Sequence, residues 1–379
     1  MKKICNLATI HSKYDTRIFM KECSIAKRYY EVHYITCSTK TDELKDGIHI
    51  HGIGSWKSKI ARAFFTPFKA YAKAKIIDAD VYVLHDPELL LISLLLKKKK
   101  NKCVILDCHE WYIQEVKNSQ NLPFLLKVLF LFGFCSALRY IVPRLNGVIT
   151  FSEESVSFFR KYREKNIYLL HNYASATTFK DVRCPDFHRA RHILFPGSFF
   201  PEVLSIINAL VLCKNDVRFI LCSKRTISAK DFASILGAQG FSRVDFKMDV
   251  SKEELASLRR KCFAGFVIHP SFLKHKECSS NKLFEYMASM LPVIAVVPRG
   301  CVFEKCIINN NGHPLGLVVD ADPQAIADAI DYLYENKEVA RTMGMNGRKA
   351  FETKYNFESE ADGFLKFLEE VSQSKKSKK

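Results

Sequence analysis

The sequence predicts an α/β protein built as two doubly wound domains. Length is one reason: 379 residues exceed what a single hydrophobic core commonly serves and suit two. Alternation is the second, since short apolar runs alternate with amphipathic stretches along the chain, as strands alternate with crossover helices. The third is a break at 180–191, KDVRCPDFHRAR, polar around a central proline and without apolar period, after which the alternation restarts.

In the first half, apolar runs predict strands at Ile4–Ile10, Glu31–Thr36, Val81–Leu84, Val104–Leu106, Gly147–Phe151 and Ile167–Leu170. Amphipathic spacing predicts helices at Arg17–Arg28, Pro87–Lys97 and Ser155–Arg163. The second half repeats the scheme, with strands at His192–Phe195, Arg218–Leu221, Val244–Phe246, Gly265–Ile268, Pro292–Val296 and Gly316–Val319. Its helices fall at Val203–Leu212, Ala229–Gly237, Glu253–Lys261, Lys282–Met290 and Pro323–Glu335. The expected domains are 1–179 and 192–356.

A hydrophobic content of 48% excludes global disorder. The thirteen cysteines are scattered, odd in number and without a C-x-x-C pair, which points to buried thiols in a reducing compartment. The start, MKKICNLATI, is too short for a secretory signal and leads into the first strand, so a cytoplasmic location is expected. A net charge of +18 requires an acidic partner. No helix-turn-helix, zinc-finger or RNP-type motif supports nucleic acid, and anionic lipid fits better. Residues 56–75, WKSKIARAFFTPFKAYAKAK, mix basic and aromatic side chains as interfacial segments do, and Lys97 to Lys100 with Lys102 add a basic run. Residues 123–143 are the most apolar stretch. Their uninterrupted part, Val128 to Leu138, is too short to span a bilayer, leaving either a buried core or inter-domain helix or a shallow membrane insertion.

The richest chemistry lies in His269 to Val296, HPSFLKHKECSSNKLFEYMASMLPVIAV. Ser279-Ser280-Asn281 offers caps for a helix from Lys282, which Leu291-Pro292 stops before a strand. The open N-terminus of such a helix suits a phosphate, and Lys282 in its first turn adds a full charge. Glu285, about one turn in, can accept both hydroxyls of a ribose, and Glu277, eight positions earlier, can reach another hydroxylated ring.

This stretch resembles the E-x7-E region of retaining glycosyltransferases of family 4, especially the branch reading NKLFEYMA-x-x-LPVIA. The resemblance implies the GT-B fold: two Rossmann-like, doubly wound domains facing a central cleft, with a C-terminal helix, here 357–371, returning to the N-terminal domain. Other words agree. His11-Ser12-Lys13-Tyr14-Asp15-Thr16-Arg17 resembles the branch's D-x-R loop, placing His11, Asp15 and Arg17 on the acceptor side. His85-Asp86-Pro87-Glu88 resembles its H-D-P-E-L, adding His85, although Asp86-Pro87 is also a good helix start. Asp107-Cys108-His109-Glu110 resembles D-x-H-E, whose histidine contacts the transferred sugar, so His109 and Glu277 are expected at the catalytic centre.

In the second domain Gly197, with Ser198, allows backbone N–H groups to approach a phosphate. The chain then departs from the family: the Arg and Lys-Gly that relatives carry after this glycine are replaced by Phe199-Phe200-Pro201-Glu202-Val203. Lys224 or Arg225 is expected to restore the charge, beside Ser280, Lys282 and Glu285 in donor binding. Asp78-Ala79-Asp80 and Asp320-Ala321-Asp322 read as turns and caps rather than a metal motif, so no metal is expected, and no cofactor beyond a nucleoside diphosphate sugar as donor substrate. The resemblance implies transfer of that sugar to a lipid-linked glycan of bacterial surface polysaccharide, O-antigen or capsule, by a peripheral protein on the inner face of the cell membrane. A GT-B nucleotide-sugar 2-epimerase and a non-catalytic membrane scaffold are the rivals.

Overall fold

The structure, a computed structural model, describes residues 1–56, 58–98, 101–109, 111–118, 123–197, 199, 202–223, 229–269 and 280–373. It divides into two units, Met1–Asn172 with Glu360–Lys379, and Tyr173–Ser359.

The first unit runs β1 (Lys2–Ala8), a wide helical turn (Ile18–Cys23) continuing into α1 (Ser24–Ala26), β2 (Tyr30–Thr36), β3 (Glu43–Lys45), β4 (Ile48–Gly52) and α2 (Lys59–Ile77). It continues through β5 (Val81–Leu84), α3 (Leu90–Lys97), β6 (Cys103–Cys108), α4 (Tyr112–Asn118), α5 (Phe124–Ile141), β7 (Gly147–Thr150), α6 (Glu153–Arg160) and β8 (Ile167–Leu169). The sheet order is β3-β4-β2-β1-β5-β6-β7-β8, parallel except for the β3–β4 hairpin. That hairpin was not among the expected strands. It turns at Asp46-Gly47, both at positive φ, which asparagine, aspartate and glycine tolerate best. The strands read as unbroken apolar runs because helices cover the sheet: Leu7, Leu84 and Leu106 bury against Ala70 and Ala74 of α2 and Leu90 and Ile92 of α3.

The second unit runs β9 (His192–Pro196), α7 (Glu202–Leu212), β10 (Arg218–Ser223), α8 (Ala229–Leu236), β11 (Val244–Met248), α9 (Lys252–Arg260) and β12 (Cys262–Ile268). Then follow α10 (Asn281–Ala288), β13 (Val293–Val296), α11 (Val302–Ile308), β14 (Gly316–Val318), α12 (Pro323–Glu335) and α13 (Lys337–Thr353). Its sheet, β11-β10-β9-β12-β13-β14, is entirely parallel. The second unit begins earlier than the expected boundary, because Tyr173 packs edge-on against Phe284 at 4.6 Å and Phe179 against Phe351 at 6.2 Å. The expected linker also belongs here, since Phe187 and Ala190 enter the core around β9.

The last helix, α14 (Glu358–Gln373), packs in the first unit. Tyr168 of β8 stacks on Phe367 at 5.2 Å, and a Cβ at Gly147 would lie 2.8 Å from the Phe367 ring, so β7 needs glycine there. The apolar stretch, expected either as a buried helix or as a shallow membrane insertion, forms α5. Phe124–Arg144 is long and apolar enough to cross a membrane by length and composition, yet only 17% of its most apolar window is buried. It is not a core helix.

Candidate functional site

In the first unit β1 lies between β2 and β5, so the connections reverse direction there, and the carboxyl ends of β1, β5 and β6 form the edge where open α/β sheets bind ligands. The expected residues His11, Asp15, Arg17, His85 and His109 all lie in the loops at that edge. The fold gathers them around Asp107, near the end of β6. Arg17 donates from Nε to Oδ2 of Asp107 at 3.0 Å and from Nη2 to Oδ1 at 2.9 Å. Nδ1 of His85 and Nδ1 of His109 lie 3.0 and 3.2 Å from the same Oδ2. Arg17 Nη1 also donates to the Leu170 carbonyl and to Asn172 Oδ1, at 3.0 and 2.8 Å. Arg17, His85, Asp107 and His109 are buried. Burial opposes ionisation of Asp107, but the charge of Arg17, then His109 and the histidine hydrogen bonds, hold its carboxyl well below the ordinary range.

Glu22 is the counterpart that sequence reasoning missed. It is 1% exposed, and its Oε1 lies 3.0 Å from Arg17 Nε. Burial, and after it the charge of Asp107, pushes its carboxyl well above the usual value, with Arg17 only partly offsetting them. Two acids share one guanidinium, and environment assigns the charge to Asp107. No spacing rule flags Glu22, which sits as an ordinary helical residue in sequence.

A second chain of contacts reaches the loop after β1. Asp15 Oδ2 lies 3.2 Å from His11 Nδ1, His11 Nε2 lies 3.1 Å from His109 Nε2, and His109 Nδ1 reaches Asp107. Three hydrogen bonds need three ring protons on two imidazoles, so the complete chain carries one positive charge. Burial, aided by Arg17 and His11 and opposed by Asp107, lowers the pKa of His109. The extra proton therefore belongs on His11, which also lies 3.4 Å from Asp86 Oδ1. Asp86 does not cap the helix after it: its Oδ2 instead accepts from the N–H groups of Thr9 and Ile10, at 2.5 and 3.1 Å, fixing the turn after β1.

Among the described residues, His85, Asp107 and His109 place possible metal-ligand atoms within 4.8 Å of one another. Arg17 donates to both Asp107 oxygens, so a cation there would share this carboxylate with the guanidinium. The aspartate pairs do act in turns: Asp78 ends α2 in the left-handed region, Asp80 accepts from Lys3 N at 2.8 Å, and Asp322 caps α12 by accepting from Ala325 N at 2.9 Å.

In the second unit β9 is the strand from which the order runs both ways, and Gly197 follows it, donating its N–H to the Cys222 carbonyl at 2.8 Å. Lys282 of α10 packs directly over this glycine. A Cβ at Gly197 would lie 2.8 Å from Lys282 Cε and 2.9 Å from Phe195 Cζ, and Lys282 Nζ sits 5.1 Å from the Phe195 ring centre. The first turn of α10 therefore stands at the carboxyl end of β9, as the sequence predicts. Burial lowers the pKa of Lys282 and Glu285 draws it back up. Among the described residues no carboxylate lies within ion-pair distance of its ammonium, an arrangement ready for an anion.

Ser280 caps α10, accepting from Lys282 N at 3.4 Å, and Met290 at positive φ ends the turn after it. The helix is pinned from below by Tyr286, whose hydroxyl donates to the Leu194 carbonyl at 2.9 Å and whose ring fills the space above Gly265. Glu285 pairs with Arg259 of α9, a buried side chain stacked 5.2 Å from Phe179. Arg259 was not foreseen; in the sequence it reads as ordinary last-turn basic charge. Ser198, Lys224, Arg225 and Glu277 lie outside the described residues.

Two outcomes follow from this geometry. An acid whose folded pKa is raised binds more protons folded than unfolded, so Glu22 removes stability as pH rises from its unfolded pKa, about 4.3, through its folded one. Glu22→Gln, which keeps the neutral shape, is expected to gain on wild type steadily between pH 5 and 8 in chemical denaturation. A constant difference across that range would mean Glu22 is not the protonated partner. Gly197→Ala presses on the far end of the flexible Lys282 side chain and on the Phe195 ring, so the protein should fold at a cost of about 1–3 kcal/mol, read by the same method, with the Lys282 ammonium displaced.

Residues 190–336, less than half of the chain, match the family model described as Glycosyl transferases group 1. No curated protein matches the chain. Among solved structures, sucrose-phosphate synthase (tll1590) from Thermosynechococcus elongatus superposes with a TM-score of 0.76 at 16% identity, covering 99% of this chain and 100% of that one. Anabaena Alr3699/HepE in complex with UDP and glucose gives 0.71 at 13%, covering 98% and 100%. WaaG, a glycosyltransferase involved in lipopolysaccharide biosynthesis, gives 0.67 at 15%, covering 95% and 98%. At these identities the likeness establishes architecture: the chain has the α/β, parallel-sheet fold of GT-B glycosyltransferases, and its residues 190–336 match a glycosyltransferase group 1 domain.

Proposed function

We propose that the protein is a retaining, metal-independent glycosyltransferase moving a sugar from a nucleoside diphosphate donor to a lipid-linked glycan of bacterial surface polysaccharide, O-antigen or capsule, on the inner face of the cell membrane. The observation that carries this is the half-buried side chain of Lys282, at the N-terminus of α10 and against the glycine turn after β9, with Glu285 in the next turn. A cation, helix N–H groups and a carboxylate in that order match phosphate followed by ribose. The segment lies inside the group 1 match, and the solved complexes of HepE hold UDP and UDP-glucose.

The reaction breaks the bond from the anomeric carbon to phosphate and forms one to the acceptor oxygen on the same face, with the acceptor's proton passing to the departing phosphate. The protein's part is positioning and charge stabilisation. Lys282, with N–H groups near Ser280 and a basic contribution from Lys224 or Arg225, would stabilise the phosphates. Glu285, held in place by Arg259, would take the ribose. Glu277 would orient the donor sugar, and His109, set by Asp107, would contact it. The His11, Asp15, Arg17 and His85 network would give the acceptor side a preorganised, charge-balanced floor.

Calorimetric titration with nucleoside diphosphate tests the division of labour. Glu285→Ala and Lys282→Met should each weaken binding roughly 10- to 100-fold, the worth of one charge-assisted hydrogen bond. Glu277→Ala should bind the free nucleotide nearly as wild type and lose sugar transfer. Arg259→Met should weaken binding through Glu285 and add little in the double variant with Glu285→Ala. Equal losses for Glu277→Ala and Glu285→Ala, or wild-type affinity in Lys282→Met, would overturn the assignment.

A further inference from the structure

The surface of the first unit carries a feature that nucleotide chemistry does not use. The N-terminal half of α5 is apolar on all sides and stands exposed: Phe124 is 82%, Leu125 67%, Leu129 58% and Phe132 76% accessible. Only the C-terminal end is seated, through Leu138 and Ile141. A helix hydrophobic all round belongs in a core or in lipid, and this one is not in the core. It also has company. Both α2 and α5 pack on α3, and α2 exposes Phe64, Phe65 and Phe68 while α3 exposes Leu91.

Charge identifies the occupant. Residues 56–77, 90–102 and 123–144, which contain these three helices, hold six, five and three Lys or Arg and no Asp or Glu. In the fold Arg62, Lys73 and Lys102 pair with Glu88, Asp42 and Asp78 from neighbouring segments, and the large remaining excess of positive charge in these segments complements an anionic lipid surface and would repel a second copy of the same face.

Topology then fixes how lipid is met. By length α5 could cross a bilayer, but it connects β6 to β7, which are hydrogen-bonded neighbours in one sheet. A single crossing would leave the two strands on opposite sides of the membrane. The sequence ahead of α5, residues 117–121, is polar, and Arg139 and Arg144 mark its other end, so both ends belong at headgroups. We infer that α5 lies in the plane of one leaflet as a monotopic anchor, with the basic residues of α2 and α3 on the anionic headgroups beside it. This rests on the membrane-surface part of the function proposed above and is independent of the transfer chemistry.

The test uses the full chain, without donor, sedimented with phosphatidylcholine vesicles lacking or containing phosphatidylglycerol, at low and high salt. Wild type should bind anionic vesicles strongly at low salt and keep a residual, salt-resistant fraction. Phe124→Ser with Leu125→Ser, Leu129→Ser and Phe132→Ser should abolish the salt-resistant fraction. Lys69→Glu with Lys75→Glu and Lys98→Glu should reduce the salt-sensitive part by roughly a hundredfold or more, at about fivefold per basic residue. Thermal stabilisation by nucleoside diphosphate, measured in parallel, should be unchanged in both variants, since these side chains are exposed and remote from α10 in sequence. Wild type that ignores anionic vesicles at low salt overturns the inference, as does a serine variant that binds like wild type at high salt. So does a wild-type dimer that the serine variant turns monomeric, because the face would then be occupied by a second copy. Vesicle binding in a protein that no nucleotide stabilises would sink the transferase reading and leave the anchor standing.

Discussion

Asp107 is the constraint on which the first unit's ligand edge depends. One buried carboxylate meets Arg17 from the loop after β1, His85 from the loop after β5 and His109 two residues along its own strand's end. Each contact alone is modest. Together they tie three loops that the sheet merely brings near one another, and the burial that makes the charges costly also makes the contacts strong. Because Arg17 reaches on to Leu170 and Asn172, the loop after β8 joins the same network. Glu22 is tolerated inside it by remaining neutral, which leaves Arg17 to balance the Asp107 carboxylate.

The second unit solves a different problem with fewer parts. A phosphate needs positive charge and N–H groups that are not already paired. In the proposed function that part falls to Lys282, which the missing side chain of Gly197 lets settle over the end of β9. Phe195 beneath the ammonium offers a ring face rather than a competing carboxylate. Arg259 performs the complementary task for Glu285, aiming a carboxylate that would otherwise sweep through several rotamers. The two units differ accordingly: a saturated polar network holds geometry in the first, while the second keeps a cation available.

Most strands were legible in the sequence because parallel strands covered by helices are continuous apolar runs, and the helix starting near Lys282 announced itself through its serine cap. The β3–β4 hairpin was not legible although Asp46-Gly47 is a hairpin signal, because its short strands lack an apolar run. Position was legible where a motif carried it: His11, Arg17, His85 and His109 do meet at one sheet edge, and Lys282 and Glu285 do lie on α10. Partners that no motif contains were not legible. Glu22 and Arg259 acquire their roles from burial beside a charge 85 and 26 residues away in sequence, respectively. The apolar stretch at 123–143 shows the same limit: its composition suits a core and a membrane equally, and its exposure in the fold is what composition does not reveal.

The most direct test of the hub is nitrogen NMR of the histidine rings in protein labelled at those nitrogens, assigned through His11→Gln and His109→Gln. At neutral pH the account predicts His11 with both ring nitrogens protonated and His109 neutral with its proton on Nδ1. In Asp107→Asn the Nδ1 preference of His109 should be lost. Two neutral rings in the wild type, or a His109 tautomer unchanged by loss of the Asp107 charge, would contradict the claim that this carboxylate organises the site.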